Sequence, residues 1–140
     1  MNPELVAPCG MNCGVCGHYL ASAKGIPKKR GKILHCTGCR IRNKQCAYIK
    51  GQCTLLQKKK IDFCFECPQF PCHNLEHLDQ RYQKNYRASP IKNLLDIQER
   101  GMTAFLKGEA KKYSCEKCGG TRSLHNNKCY DCEVIESWRG

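Results

Sequence analysis

Residues 115–132 read CEKCGGTRSLHNNKCYDC, and this stretch decides how the C-terminal part of the chain folds. It contains two Cys-x-x-Cys pairs separated by ten residues, Cys115/Cys118 and Cys129/Cys132. Each pair can present two thiolates from one tight turn, and two such turns complete a tetrahedral metal site. The stretch therefore predicts one metal site with four cysteine ligands.

The residues between these two pairs predict a β-hairpin. The segment 121–128 has the length of a hairpin, with Asn126-Asn127 at its turn. Together with the two cysteine turns, the segment resembles a zinc ribbon. His125 lies within the hairpin and is expected at the surface, because four thiolates already close the site.

Three further Cys-x-x-Cys pairs lie closer to the N-terminus, at Cys13/Cys16, Cys36/Cys39 and Cys64/Cys67. The first two pairs form a natural second site. The Cys64/Cys67 pair then needs two partners, and Cys46 and Cys53 are the nearest unassigned thiols. Cys9 and Cys72 are left over. They can join each other with a histidine such as His73, exchange into the other sites, or remain buried thiols, and the sequence leaves this pairing open.

Composition supports metal ions as the cross-links of this small protein. Only 41% of the 140 residues are apolar, so a large hydrophobic core is not available. Disulfides would need an oxidising compartment. The N-terminus has no secretory signal pattern and no apolar run reaches the length of a membrane span. We therefore expect a reduced, cytoplasmic zinc protein.

The net charge is a weaker indicator than it first suggests. The formal charge is +12. It falls to about +6 if twelve cysteines hold three Zn²⁺ ions as thiolates, since ligating cysteines are deprotonated. Much of the basic excess can therefore offset the metal sites.

The chain divides into residues 1–110, a cysteine-rich zinc-binding module, and residues 111–140, the zinc ribbon. Within the module, residues 75–110 have helical periodicity. Ser89-Pro90 is a helix start signal and Gly101 is expected to divide the stretch into two helices. The predicted fold is a small metal-stabilised α+β protein, with short helices around cysteine-knuckle zinc sites and a C-terminal zinc-ribbon hairpin.

The N-terminal module resembles a known family. The motifs that carry the resemblance are Cys9–Cys16 (CGMNCGVC), His35–Cys39 (HCTGC) and Phe63–Cys72 (FCFECPQFPC). They resemble the DUF3795 proteins over about residues 8–78. The resemblance implies zinc binding and brings no reaction with it, because the family is defined as one of unknown function.

These features predict a non-enzymatic protein. Sites of four thiolates are closed and leave no position for a substrate, so about three structural Zn²⁺ ions and a binding or adaptor role with a protein partner are expected. One alternative is a redox or electron-transfer protein with an Fe–S cluster at one N-terminal site, because four cysteines also suit such clusters.

A second alternative is a nucleic-acid-binding zinc protein. Basic residues occur at 28–30, at 58–60 and at Arg81, Lys84 and Arg87, with Tyr82 and Tyr86 nearby, and such residues can contact phosphates and stack on bases. Separately, residues 73–77 match the H-x-x-E-H pattern of some zinc proteases. They are expected to form a solvated helix face.

Overall fold

The structure is a computed structural model that describes residues 1–42 and 47–139. Cys46, one of the predicted ligands, lies outside the described residues. The described residues form α1 (Gly17–Ala23), α2 (Cys39–Arg42), α3 (Ala47–Gln52), α4 (Thr54–Gln57), α5 (His73–Tyr86), α6 (Pro90–Arg100) and α7 (Met102–Lys112). Short 3₁₀ turns lie at Pro3–Leu5, Cys13–Val15 and Cys64–Glu66. The protein is therefore small and mostly helical. In the described residues, no helix is both long and apolar enough to cross a membrane.

The β part of the predicted fold does not form as a ladder. Within the described ranges there are isolated β-bridges but no strand, and two of these bridges, Ser114 with Thr121 and Arg122 with Cys129, lie in the C-terminal segment. Two hydrogen bonds flank the second bridge, from the Ser123 N–H to the Lys128 carbonyl (2.9 Å) and from the Tyr130 N–H to the Thr121 carbonyl (3.1 Å). The pairing is no longer than this single bridge in the described residues, and the Thr121 N–H donates to the Asp131 carboxylate (3.0 Å) instead of to the other arm.

The long helices begin and end at the residues that the sequence indicates. Pro90 occupies the first turn of α6, and the Ser89 hydroxyl accepts a hydrogen bond from the Lys92 N–H (3.0 Å), which satisfies one of the unpaired donors of that turn. Gly101 separates α6 from α7 with φ of 90°, a conformation that favours glycine. The predicted division of residues 75–110 at Ser89-Pro90 and Gly101 is confirmed.

Cysteine side chains form part of the main hydrophobic core. The aliphatic side chains of Leu75, Leu78 and Leu94 are buried there together with the thiols of Cys9 and Cys13. Leu75 and Leu94 are fully enclosed. Thiols pack as small apolar groups when protonated, so the helices shield a core that is partly made of potential metal ligands.

A buried carboxylate joins α5 to α6. Asp79, which is 5% exposed, accepts hydrogen bonds from the Ser89 hydroxyl (2.6 Å) and from the Ile91 N–H (2.9 Å). It also accepts one from the Gln83 side chain. The carboxylate therefore binds the N-terminal turn of α6, where the helix dipole favours a negative charge.

The C-terminal segment packs against the N-terminal one. Tyr130 and Ile135 lie in a cluster with Leu20, Ala21 and Ile33. A backbone hydrogen bond from the Trp138 N–H to the Lys32 carbonyl (2.9 Å) links the two segments further along. The division into units at residue 110 stays a prediction.

We predict that Asp79→Ala lowers the free energy of unfolding of the metal-loaded protein by about 3 kcal/mol. The substitution removes charge-assisted hydrogen bonds and leaves buried donors unpaired. Glu99→Ala, which removes an exposed carboxylate from α6, is the matched control and should change stability by less than about 0.5 kcal/mol. Urea denaturation followed by circular dichroism measures both. Equal effects of the two substitutions would contradict the structural role of Asp79.

Candidate metal centre

The four C-terminal cysteines lie at the separations that a single metal ion requires. The sulfur atoms of Cys115, Cys118, Cys129 and Cys132 all lie within 4.8 Å of one another. The Sγ atoms of Cys115 and Cys132 are 3.8 Å apart, and those of Cys118 and Cys129 are 3.6 Å apart. Zn–S bonds of about 2.3 Å in a tetrahedron give S–S edges of about 3.8 Å. This group can therefore hold one metal ion.

Backbone amides support this sulfur cluster. The Gly120 N–H donates to the Cys118 Sγ (3.3 Å), and the Asp131 N–H donates to the Cys129 Sγ (3.4 Å). Glycine is required at position 120, because a Cβ there would lie 2.3 Å from the Asp131 carboxylate. Asp131 is in turn held by an ion pair with Lys24 (2.7 Å), so α1 helps to position the second cysteine turn.

The thiols of this group differ in acidity. Backbone N–H groups of Cys118 and Lys117 lower the pKa of Cys115 to about 7. Hydrogen bonds with Cys118 and Cys129 raise the pKa of Cys132 to about 12. One thiolate therefore forms near neutral pH, and a metal ion must displace protons from other thiols as it binds.

Five N-terminal cysteines surround one cavity of about 1010 Å³, which we call the first cavity. They include all four members of the predicted second site, and the described cysteines that line it are Cys9, Cys13, Cys16, Cys36 and Cys39. The Cys39 N–H donates to the Cys13 Sγ (3.4 Å). Burial raises the pKa of Cys16 to about 11, and the neighbouring Cys39 and Cys36 add to the shift.

A second cavity of about 460 Å³ is lined by Cys53, Cys64, Cys67 and Cys72. Burial raises the pKa of the Cys64 thiol, and nearby Cys9, Cys72, Cys53 and Cys67 raise it further. The structure thus brings Cys72 to the Cys64/Cys67 pair, an arrangement that the sequence left open. A turn closed by the hydrogen bond from the Phe70 N–H to the Cys67 carbonyl (3.0 Å) directs the chain back towards this pair.

Cys9 lies between the two cavities. It lines the first cavity, and its charge raises the pKa of Cys64 in the second. Within the described part of the chain, however, the C-terminal four are the group of three or more ligands whose donor atoms meet closely enough for one ion. The described N-terminal cysteines surround their cavities, and no three of them bring their sulfur atoms as close together.

The predicted histidine ligand lies away from these thiols. His73 and His77 are exposed on the first turns of α5, with their Nε2 atoms 3.0 Å apart. They share a helix face, as the H-x-x-E-H spacing indicates. The described residues that line the second cavity include Cys72, Asn74 and Leu75 but not His73. A ligand role for His73 stays a prediction.

Sequence reasoning missed a cluster of aromatic rings beside the first cavity. His125, which was expected at the surface, is half-buried, and its Nδ1 accepts a hydrogen bond from the Gly17 N–H (3.1 Å). Burial lowers the pKa of His125 to about 4, and the nearby His18 lowers it further, so the ring is neutral. His18 and Trp138 complete the contact, with ring centroids 4.8 Å apart. In the sequence, the single tryptophan near the C-terminus was the one feature that could have indicated this cluster.

Comparison with known proteins identifies a protein family but no individual related protein. Searches of curated proteins and of solved structures found no significant match. The family model described as "Protein of unknown function (DUF3795)" matches residues 5–77, which is just over half of the chain. This range contains the cysteines of both N-terminal cavities and ends before the C-terminal sulfur cluster. The chain belongs to the DUF3795 family.

Proposed function

We propose that this protein is a non-enzymatic zinc-binding protein whose metal ions stabilise a surface for binding another molecule. The observation that carries the proposal is the C-terminal group of four sulfurs at tetrahedral separations. Four thiolates complete the coordination of Zn²⁺ and leave no position for a water or a substrate. The donor set therefore supports a structural ion rather than a catalytic one.

The sulfur separations support a single ion at the C-terminal site. In an Fe–S cluster several iron and sulfide atoms stand between the cysteine sulfurs and hold them farther apart. The Sγ distances of 3.6 and 3.8 Å fit one ion with four direct bonds. The Fe–S alternative applies instead to the first cavity, where five thiols surround a larger space.

The two N-terminal cavities suggest two further ions. Cys13, Cys16, Cys36 and Cys39 supply four thiols to the first, and Cys53, Cys64, Cys67 and Cys72 supply four to the second. Cys46, named from the sequence as a ligand, is the alternative to Cys72. Each ion would remove the like-charge repulsion and desolvation that raise the thiol pKa values there.

A binding role follows from what such ions contribute. Structural zinc supplies folding free energy to small domains, and this chain has few apolar residues with which to build a core. The reduced thiols that these sites need fit the cytoplasm. A protein partner stays a prediction from the sequence.

We predict about three zinc ions per chain after purification under reducing conditions, from four thiolates per ion. Elemental analysis measures the stoichiometry. A visible absorption spectrum distinguishes the alternatives, because zinc–thiolate sites are colourless and Fe–S clusters absorb visible light. Iron in place of zinc would contradict the proposal, as would a folded reduced protein without metal.

We predict that Cys118→Ser releases about one zinc ion and loosens the C-terminal segment. Removing one of four thiolates opens the tetrahedral site. Because Tyr130 and Trp138 pack against the N-terminal part, the fluorescence of Trp138 should shift towards that of an exposed indole. Lys117→Ser, in the same turn and also exposed, is the matched control and should retain the metal. Full zinc content in the Cys118→Ser protein would show that this cluster does not hold an ion.

We predict that Cys72→Ser releases one zinc ion, whereas His77→Ala releases none. Cys72 shares the second cavity with three other thiols, while His77 is exposed on α5. Zinc analysis of the two variants separates the assignments. Loss of zinc from His77→Ala would instead place the ion at the histidine pair.

A further inference from the structure

The first cavity has a second wall, which is formed by residues that are not ligands of the proposed metal site. Five aromatic rings from three distant segments meet there: His18 of α1, Tyr82 and Tyr86 of α5, and His125 and Trp138 of the C-terminal segment. Successive ring centroids are 4.8 Å apart for Tyr86 and His125 and 5.2 Å apart for His125 and Trp138. Both pairs contact edge to face, with interplanar angles of 84° and 85°, so the rings line the cavity as a cluster whose faces point in different directions.

These rings are not enclosed as core side chains are. All five are half-buried, whereas the leucines of the adjacent core, such as Leu75 and Leu94, are fully buried. The cluster also contains a polar atom that lacks a partner. The Nδ1 atom of His18 is buried and has no hydrogen-bond partner among the described residues, and a buried polar atom of this kind costs free energy until a partner satisfies it.

The charges around the cavity have one sign. Lys28, Arg81 and Arg139 line it, and no aspartate or glutamate occurs among its described lining residues. The Arg139 guanidinium lies 4.6 Å from the centroid of the Trp138 ring, so one cation is attached to the aromatic wall. A site of one Zn²⁺ ion and four of the nearby thiolates would have a formal charge of about −2, and the three cations outweigh it by about one unit of charge.

We propose that this cavity binds a nucleoside phosphate, either free or as part of a single-stranded nucleic acid. The base stacks on one ring of this cluster, Tyr86 or Trp138, because base–aromatic stacking accepts any base. Arg81, Arg139 and Lys28 bind the phosphate, since guanidinium groups match phosphate oxygens. This inference rests on the proposed function, in which the metal ions only support a binding surface.

The size and position of the cavity agree with this ligand. Its volume of about 1010 Å³, part of which lies between the cysteines of the proposed metal site, is of the size typical of small-molecule sites and can admit a nucleotide. The predicted basic run at residues 58–60 is not among the described lining residues. We therefore expect the affinity for the ligand to depend on Arg81 and Arg139 rather than on residues 58–60.

The single tryptophan makes the site directly observable. Trp138 is the one tryptophan in the chain, so its fluorescence reports on this cavity alone. The zinc-loaded full chain is titrated at about 0.15 M salt with uridine monophosphate, with a ten-residue oligouridylate and with inorganic phosphate. We expect saturable quenching by a uridine ligand and none by phosphate alone. Quenching by the monophosphate identifies a free nucleotide as sufficient, and quenching by the oligomer only identifies a single strand.

Two double variants with the same change of charge test the location. Arg81→Ala/Arg139→Ala removes two cations from the cavity, and we expect affinity to fall about tenfold or more. Lys107→Ala/Lys111→Ala removes two exposed cations from α7 and should change affinity less than about twofold. Tyr86→Leu, which removes a stacking ring and keeps an apolar side chain, should weaken binding at least about fivefold.

Several results would overturn the inference. No quenching by either uridine ligand would show that the rings only pack the two ends of the chain together. Equal losses in the two double variants would show non-specific attraction to a basic protein, which phosphate contacts alone produce. Zinc content and circular dichroism are measured on the same samples. A folded, zinc-loaded protein that fails to bind contradicts this inference alone, and a metal-free folded protein contradicts the proposed function.

Discussion

Buried thiols that repel one another once ionised are the constraint on which this structure depends. Cys9, Cys13 and Cys64 are buried in the main core, and further thiols line the two cavities beside it. Protonated, they pack as weakly polar groups and contribute little cohesion. Ionised without a metal, they would place several negative charges in a poorly solvated interior, and burial accordingly raises the pKa values of Cys16 and Cys64. The cation that we propose here would offset this repulsion and add cross-links where apolar side chains are few.

Other contacts hold the C-terminal segment, in which Cys118 and Cys132 are exposed. Its cysteine turns are positioned by backbone amides and by Asp131, which forms an ion pair with Lys24 at the end of α1. Its last residues then return to α1, where a Cβ at Gly17 would lie 2.9 Å from the Tyr130 hydroxyl. The close approach of the two segments creates the aromatic wall of the first cavity. Metal binding and the candidate ligand site are thus linked through packing, because the sulfur cluster orients the segment that carries His125 and Trp138.

Local sequence signals predicted the parts of the structure that depend on neighbouring residues. The Ser89-Pro90 start and the Gly101 break gave α6 and α7 their limits, since caps and positive φ angles act within one turn of a helix. The cysteine motifs indicated the family over about residues 8–78, and the family model matches residues 5–77. Only one bridge of the predicted hairpin forms among the described residues, because the Thr121 N–H donates to the Asp131 side chain instead of extending the pairing. A turn preference at Asn126-Asn127 cannot indicate this side-chain contact.

From the sequence alone it follows that this chain is cysteine-rich, that four closely spaced C-terminal thiols belong together, and that residues 75–110 are helical. Each of these follows from spacing along the chain, because a Cys-x-x-Cys turn and an i, i+4 pattern are local geometries. Only the tertiary structure decided that Cys72 joins Cys53, Cys64 and Cys67, and that His18 and Trp138 meet across 120 residues. Those groupings depend on how helices and loops pack. Such packing brings together residues that are far apart in the sequence, and no local pattern predicts which of them will meet.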